Sequence, residues 1–156
     1  MTPLALALLA VTSAAPLEPL ADNECRTWRG ALWGNDRGVS TTLWLCRSAA
    51  KLCGTMTWES AVSGRGVREV EGSLTRGSLR LRDLRFLESK PLNGWRFCLI
   101  DRYLLSRNPE TGQLEGSYWS GTCKDEAAMR LEPAVSAETR ASCFAAVSAT
   151  PLAKAP

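Results

Sequence analysis

The chain has 156 residues, 45% of them apolar and 22% charged, which is ordinary globular usage, excludes a disordered chain and suits a single core. Its 19 basic and 16 acidic residues leave a net charge of +3. They interleave, as in Arg68-Glu69-Val70-Glu71 and Arg82-Asp83-Leu84-Arg85, which reads as a solvated surface and not as the one-sided basic face of a nucleic-acid binder. Histidine is absent, which excludes Ser-His-Asp, Cys-His and His-ligated zinc chemistry.

At the N-terminus, the apolar run Leu4 to Val11 is followed by Thr12, Ser13, Ala14, Ala15 and Pro16. That is the order of a secretory h-region and cleavage site, so residues 1–15 are read as a signal peptide cut after Ala14 or Ala15, with 16–24 as a linker. The run is far shorter than the roughly 20 residues of a bilayer span, so no membrane crossing is expected. Cys25 follows Asp22-Asn23-Glu24, which argues against a lipid anchor. The expected location is secreted or periplasmic.

Strand signals then run to Glu132: Thr27–Trp33, Val39–Cys46, Leu52–Glu59, Val67–Leu74, Ser78–Phe86, Trp95–Leu104, Leu114–Ser120 and Ala127–Glu132. Between them lie short turns such as Ser63-Gly64-Arg65-Gly66, Arg76-Gly77 and Asn108-Pro109-Glu110-Thr111-Gly112. Short turns between consecutive strands imply an all-β antiparallel meander over residues 25–132. In the fifth strand, Leu79 and Leu81 share one face while Leu84 and Phe86 share the other, and a bulge near Arg82-Asp83 would return both pairs to the core. The tail, 133–156, is rich in Ala, and its Ser136-Ala137-Glu138-Thr139 start suits a short helical piece.

Six cysteines in a small exported domain read as a disulfide framework, and no Cys-x-x-Cys suggests a metal or redox site. Pairing Cys46 with Cys53 centres the second hairpin between Ala49 and Ala50, and pairing Cys98 with Cys123 centres on the Asn108 to Gly112 turn. Cys25 then joins Cys143 by elimination, one of about fifteen possible connectivities. This register puts Leu43, Leu45, Met56 and Trp58 on one face. It places Asp101 opposite Ser120, between Tyr103 and Tyr118, on the face that also carries Trp95 and Phe97. Trp44, Trp119 and Arg102 face outward, with Arg102 opposite Trp119. Trp28, Trp33, Trp58 and Trp95 are expected in the core.

Eight short Trp-rich strands with Gly at the turns resemble the calycin architecture of lipocalins and avidins and the small exported barrels that inhibit proteases or lysozymes. The resemblance covers Thr27 to Glu132. Trp28-Arg29-Gly30 and Trp33-Gly34 stand where those families carry Gly-x-Trp, so no ligand-binding or inhibitory residue is carried over. It implies an eight-stranded up-and-down barrel whose interior or rim holds the function.

Two sites are expected. Trp44, Trp119 and Arg102 would form an outer aromatic surface through which a non-enzymatic, inhibitor-like module meets a protein or a glycan. Alternatively, Asp101, Tyr103, Tyr118 and Ser120 would be the polar end of a cavity carrying a small apolar ligand, or simply a structural hydrogen-bond network. A carboxylate-based hydrolase would draw on Glu59, Glu69, Glu71, Asp83, Asp101 or Glu115. Gly116-Ser117-Tyr118-Trp119-Ser120-Gly121 is no nucleophile elbow, and no catalytic, cofactor or metal residue is assigned.

Overall fold

Alternation of side chains at every second residue builds eight strands in the computed structural model, which describes residues 20–34, 37–108, 110–111 and 113–134. They are β1 (Cys25–Gly34), β2 (Arg37–Ser48), β3 (Lys51–Ser60), β4 (Gly64–Thr75), β5 (Ser78–Pro91), β6 (Asp101–Arg107), β7 (Leu114–Ser120) and β8 (Asp125–Ala134). Each pairs antiparallel with the next, and β8 returns to β1, so the sheet closes into an up-and-down barrel. The expected signal peptide and helical tail lie outside the described residues. Among those residues, no helix is long and apolar enough to cross a membrane.

Inward positions fill the lower half of the barrel with Leu43, Leu45, Met56, Val70, Leu105, Leu114, Met129 and Leu131, all essentially inaccessible to solvent. Each such side chain stabilises the fold by about 1.5–3 kcal/mol relative to exposure. Inward-facing glycines sit directly across from four inward leucines: Gly30 from Leu131, Gly54 from Leu45, Gly72 from Leu81 and Gly116 from Leu105. A Cβ on Gly54 would fall 1.8 Å from the Trp44 carbonyl oxygen, and one on Gly116 would fall 1.9 Å from that of Leu104. At each of the four glycines the neighbouring backbone leaves no room for a Cβ. Leu20, in the stretch read as a linker, is buried beneath this floor, and Arg47 donates to its carbonyl at 2.9 Å.

The register expected from the cysteines holds: Leu45 faces Gly54, Leu43 faces Met56, Thr41 faces Trp58 and Asp101 faces Ser120. Cys98 is bonded to Cys123 as expected. The expected Cys46–Cys53 and Cys25–Cys143 bonds are corrected, because Cys25 is bonded to Cys46, with Cα atoms 4.0 Å apart. The physical reason is that Cys46 stands opposite Cys25 on β1 as well as Cys53 on β3, so facing position alone does not choose between them. Cys53 is also disulfide-bonded. Cys143 lies outside the described residues.

Two tryptophans are corrected as well. Trp28 and Trp58 are buried, but Trp33 is 47% and Trp95 52% exposed. Trp33 falls on the outward parity of β1, next to inward Leu32. Trp95 is not in a strand, because β6 begins at Asp101 and not at Trp95. Left-handed backbone at Asn93 (φ 52), Gly94 (φ 72) and Ile100 (φ 69) breaks the extended chain there.

The β5 irregularity is real but lies further along than expected. Val70 faces Asp83 while Glu69 faces Arg85, so Leu84 is the extra residue, and a second shift leaves out Leu87. Phe86 returns to a half-buried position, whereas Leu84 is left outside at 44% exposure.

Pairing between β5 and β6 stops at Arg82 and Arg102, although β5 continues to Pro91 against β4. The upper wall is therefore split. Residues 92–100 lie across the opening, held by Leu92 N–H to the Ser63 carbonyl (3.1 Å), by the Asn93 amide to the Val62 carbonyl (2.9 Å), by the Thr122 hydroxyl to the Leu99 carbonyl (2.7 Å) and by the Cys98–Cys123 bond.

Candidate functional site

Asp83 and Asp101 are the first inward residues above the last β5–β6 pair, so the split sets two carboxyl groups side by side. Between them stands Arg68, an inward residue of β4 opposite Met56. All three side chains are fully buried. Arg68 Nε lies 3.1 Å from Asp83 Oδ2 and 3.8 Å from Asp101 Oδ2, and its Nη2 donates to the Cys98 carbonyl at 3.3 Å. Its guanidinium carbon sits 3.8 Å from the centre of the Trp58 ring, 5.1 Å from that of Phe86 and 5.6 Å from that of Phe97. A desolvated cation over aromatic faces gains about 2 kcal/mol. Tyr103 donates to Asp83 Oδ1 at 2.9 Å, and the Tyr118 ring meets Trp58 edge-on at 4.9 Å.

Burial pushes the Asp83 carboxyl up to about 7, against the pull of Arg68 and with the push of Asp101. Burial also raises Asp101, opposed by the Ser120 hydroxyl and Arg68. Two adjacent carboxyl groups around one guanidinium hold a shared proton more readily than two full charges. Tyr103 and Tyr118 are both raised, first by burial.

The cluster is incompletely satisfied. Arg68 Nε is near Asp83 but off line for a hydrogen bond, and among the described residues neither Arg68 Nη1 nor Trp58 Nε1 has a hydrogen-bond partner. Buried donors without partners cost about 1–3 kcal/mol each, more when charged. Above them, under residues 92–100, is a cavity of about 470 Å³. Trp58, Arg68 and Tyr118 form its base, and Leu32, Val39, Phe97 and Ala127 its apolar walls. Arg96 and Asp125 stand at its rim.

Of the four residues expected as one polar cluster, the barrel does bring Asp101, Tyr103, Tyr118 and Ser120 together, but only Tyr118 lines the cavity. Arg68 was not foreseen, and Asp83, expected among the acids of a carboxylate pair, stands with Asp101 around it. The signal was parity: Arg68 shares a face with Val70, and Asp83 with Leu79 and Leu81. Asp101 and Glu115 are not neighbours, since Asp101 faces Ser120 and Glu115 faces Ser106 near the other end of the same pair.

The outer aromatic surface is split up. Trp119 is 48% exposed with Arg102 5.9 Å from its ring, as expected. Trp44 is half-buried against Cys46 and Cys53 on β2, away from β7. Around Trp119 runs an open groove of about 780 Å³ lined by Lys51, Arg80, Arg82, Arg102 and Leu104, with Glu71 bridged to Arg82.

No known protein-family model matches the chain, and none of the curated proteins matches its sequence.

Proposed function

We propose that this protein is a calycin-like binding barrel of an oxidising, exported compartment that holds a small, largely apolar ligand in the cavity at its mouth. The observation that carries this reading is the cavity of about 470 Å³ with apolar walls and unsatisfied buried donors at its base. Ligand pockets combine such walls with a few polar groups that fix orientation. The Cys25–Cys46 and Cys98–Cys123 bonds are compatible with that compartment.

A second reading keeps the outer surface as the working face, because exposed Trp119 and Arg102 lie together in a groove rich in cations. An acidic protein or glycan would suit it. Hydrolysis has less support, since Asp83 and Asp101 lie behind Arg68 and do not line the cavity.

Fluorescence of N-phenyl-1-naphthylamine, an uncharged apolar probe, separates the first two. Wild type and Trp119→Ala should enhance its emission alike, while Ala127→Leu, which fills the cavity wall, should lower the affinity at least tenfold. Enhancement that survives Ala127→Leu and disappears in Trp119→Ala would move the function to the outer groove.

A further inference from the structure

We infer that the ligand of the mouth cavity is an organic monoanion of the carboxylate class, seated on Arg68 and Trp58, and that its arrival places a proton on the Asp83–Asp101 pair. This rests on the reading of the cavity as the binding site and adds the chemistry of the head group.

The first support is donor geometry. Trp58 and Arg68 both line the cavity, and each carries a buried N–H without an acceptor among the described residues: Trp58 Nε1 and Arg68 Nη1. Two donors at the base of an apolar chamber call for a group with two acceptor oxygens and no hydrogen to donate. A carboxylate meets that demand, and a guanidinium is its usual partner. An alcohol offers a single oxygen and brings a donor of its own.

The second support is charge. Arg68 is flanked by Asp83 and Asp101, so with both ionised the cluster would repel an anion. Other groups facing this pair are Tyr103 from β6, Tyr118 from β7 and Asp125 from β8, which adds negative charge beside Asp101. Both tyrosines are raised above their ordinary range, so the pair is what takes up the proton near neutrality. Each ligand carboxylate that reaches Arg68 favours one proton, drawn from the buffer, on the pair behind it. By linkage, affinity for the anion then rises as pH falls.

Isothermal titration calorimetry of the full chain with decanoate and 1-decanol, at pH 6 and pH 8 in buffers of different ionisation enthalpy, tests this. Decanoate stays ionised across that range. We expect it to bind at least tenfold more tightly than decanol, to gain up to about tenfold per pH unit on acidification and to take up close to one proton at pH 8. In Asp83→Asn, decanoate should bind with little pH dependence. Equal affinity for the two compounds would overturn the anionic assignment, and decanoate binding with no proton uptake at pH 8 would overturn the proton on the pair, each leaving the cavity reading intact. If neither compound binds, the cavity reading itself fails.

Discussion

Arg68 is the residue on which the interior turns. A lone guanidinium at an inward strand position would be intolerable in an apolar barrel, and here two carboxyl groups and three aromatic rings surround it. Breaking a buried pair from one side strands the remaining charge, so Arg68→Met should cost about 3–5 kcal/mol in urea denaturation. The pH dependence of stability follows from Asp83, whose carboxyl is raised from 3.8 to about 7 in the folded chain. Between those values the native state holds a proton that the unfolded chain has released. Stability therefore falls as pH rises from about 4 to about 7, with a slope of up to about 1.4 kcal/mol per unit. Asp83→Asn should flatten that slope, and parallel profiles for variant and wild type would show that another group is responsible. Asp101 and its neighbours were legible in the sequence because a cysteine pair set their register. Arg68 was not, because Arg-Glu alternation resembles a wet surface until the parity of the whole strand is followed through Val70.

At the scale of elements, four glycines stand across from inward leucines where neighbouring backbone leaves no room for a side chain. Gly54→Ala should cost about 3 kcal/mol, since its methyl group would meet backbone and not a movable side chain. Gly38→Ala, whose nearest neighbour is the Trp33 ring at 3.5 Å, should change stability by less than about 0.5 kcal/mol in the same denaturation assay. Period-two patterning and turn residues located six of the strands to within about three residues and β5 apart from its last five. The exception, β6, shows the limit of that reasoning: Trp95 and Phe97 alternate as strand residues do, but positive φ at Asn93, Gly94 and Ile100 bends the chain across the mouth instead. Disulfide choice was the other limit. Because β1 begins at Cys25, two residues before the expected Thr27, three cysteines stand in one row across β1, β2 and β3, and a row has two neighbouring pairs.

For the whole molecule, the Cys98–Cys123 bond joins the segment over the mouth to the β7–β8 turn. Replacing both cysteines by serine should lower stability by about 3 kcal/mol in thermal unfolding and weaken decanoate binding further than stability loss alone explains. Unchanged binding in the folded variant would mean that residues 92–100 do not shape the chamber. The leucine floor has its own kinetic meaning. Because the described residues plug the base, a guest held in the mouth cavity, as proposed, would leave by the route it entered. A substitution that merely loosens the doorway should quicken arrival and departure by the same factor, leaving affinity constant while the residence time shortens.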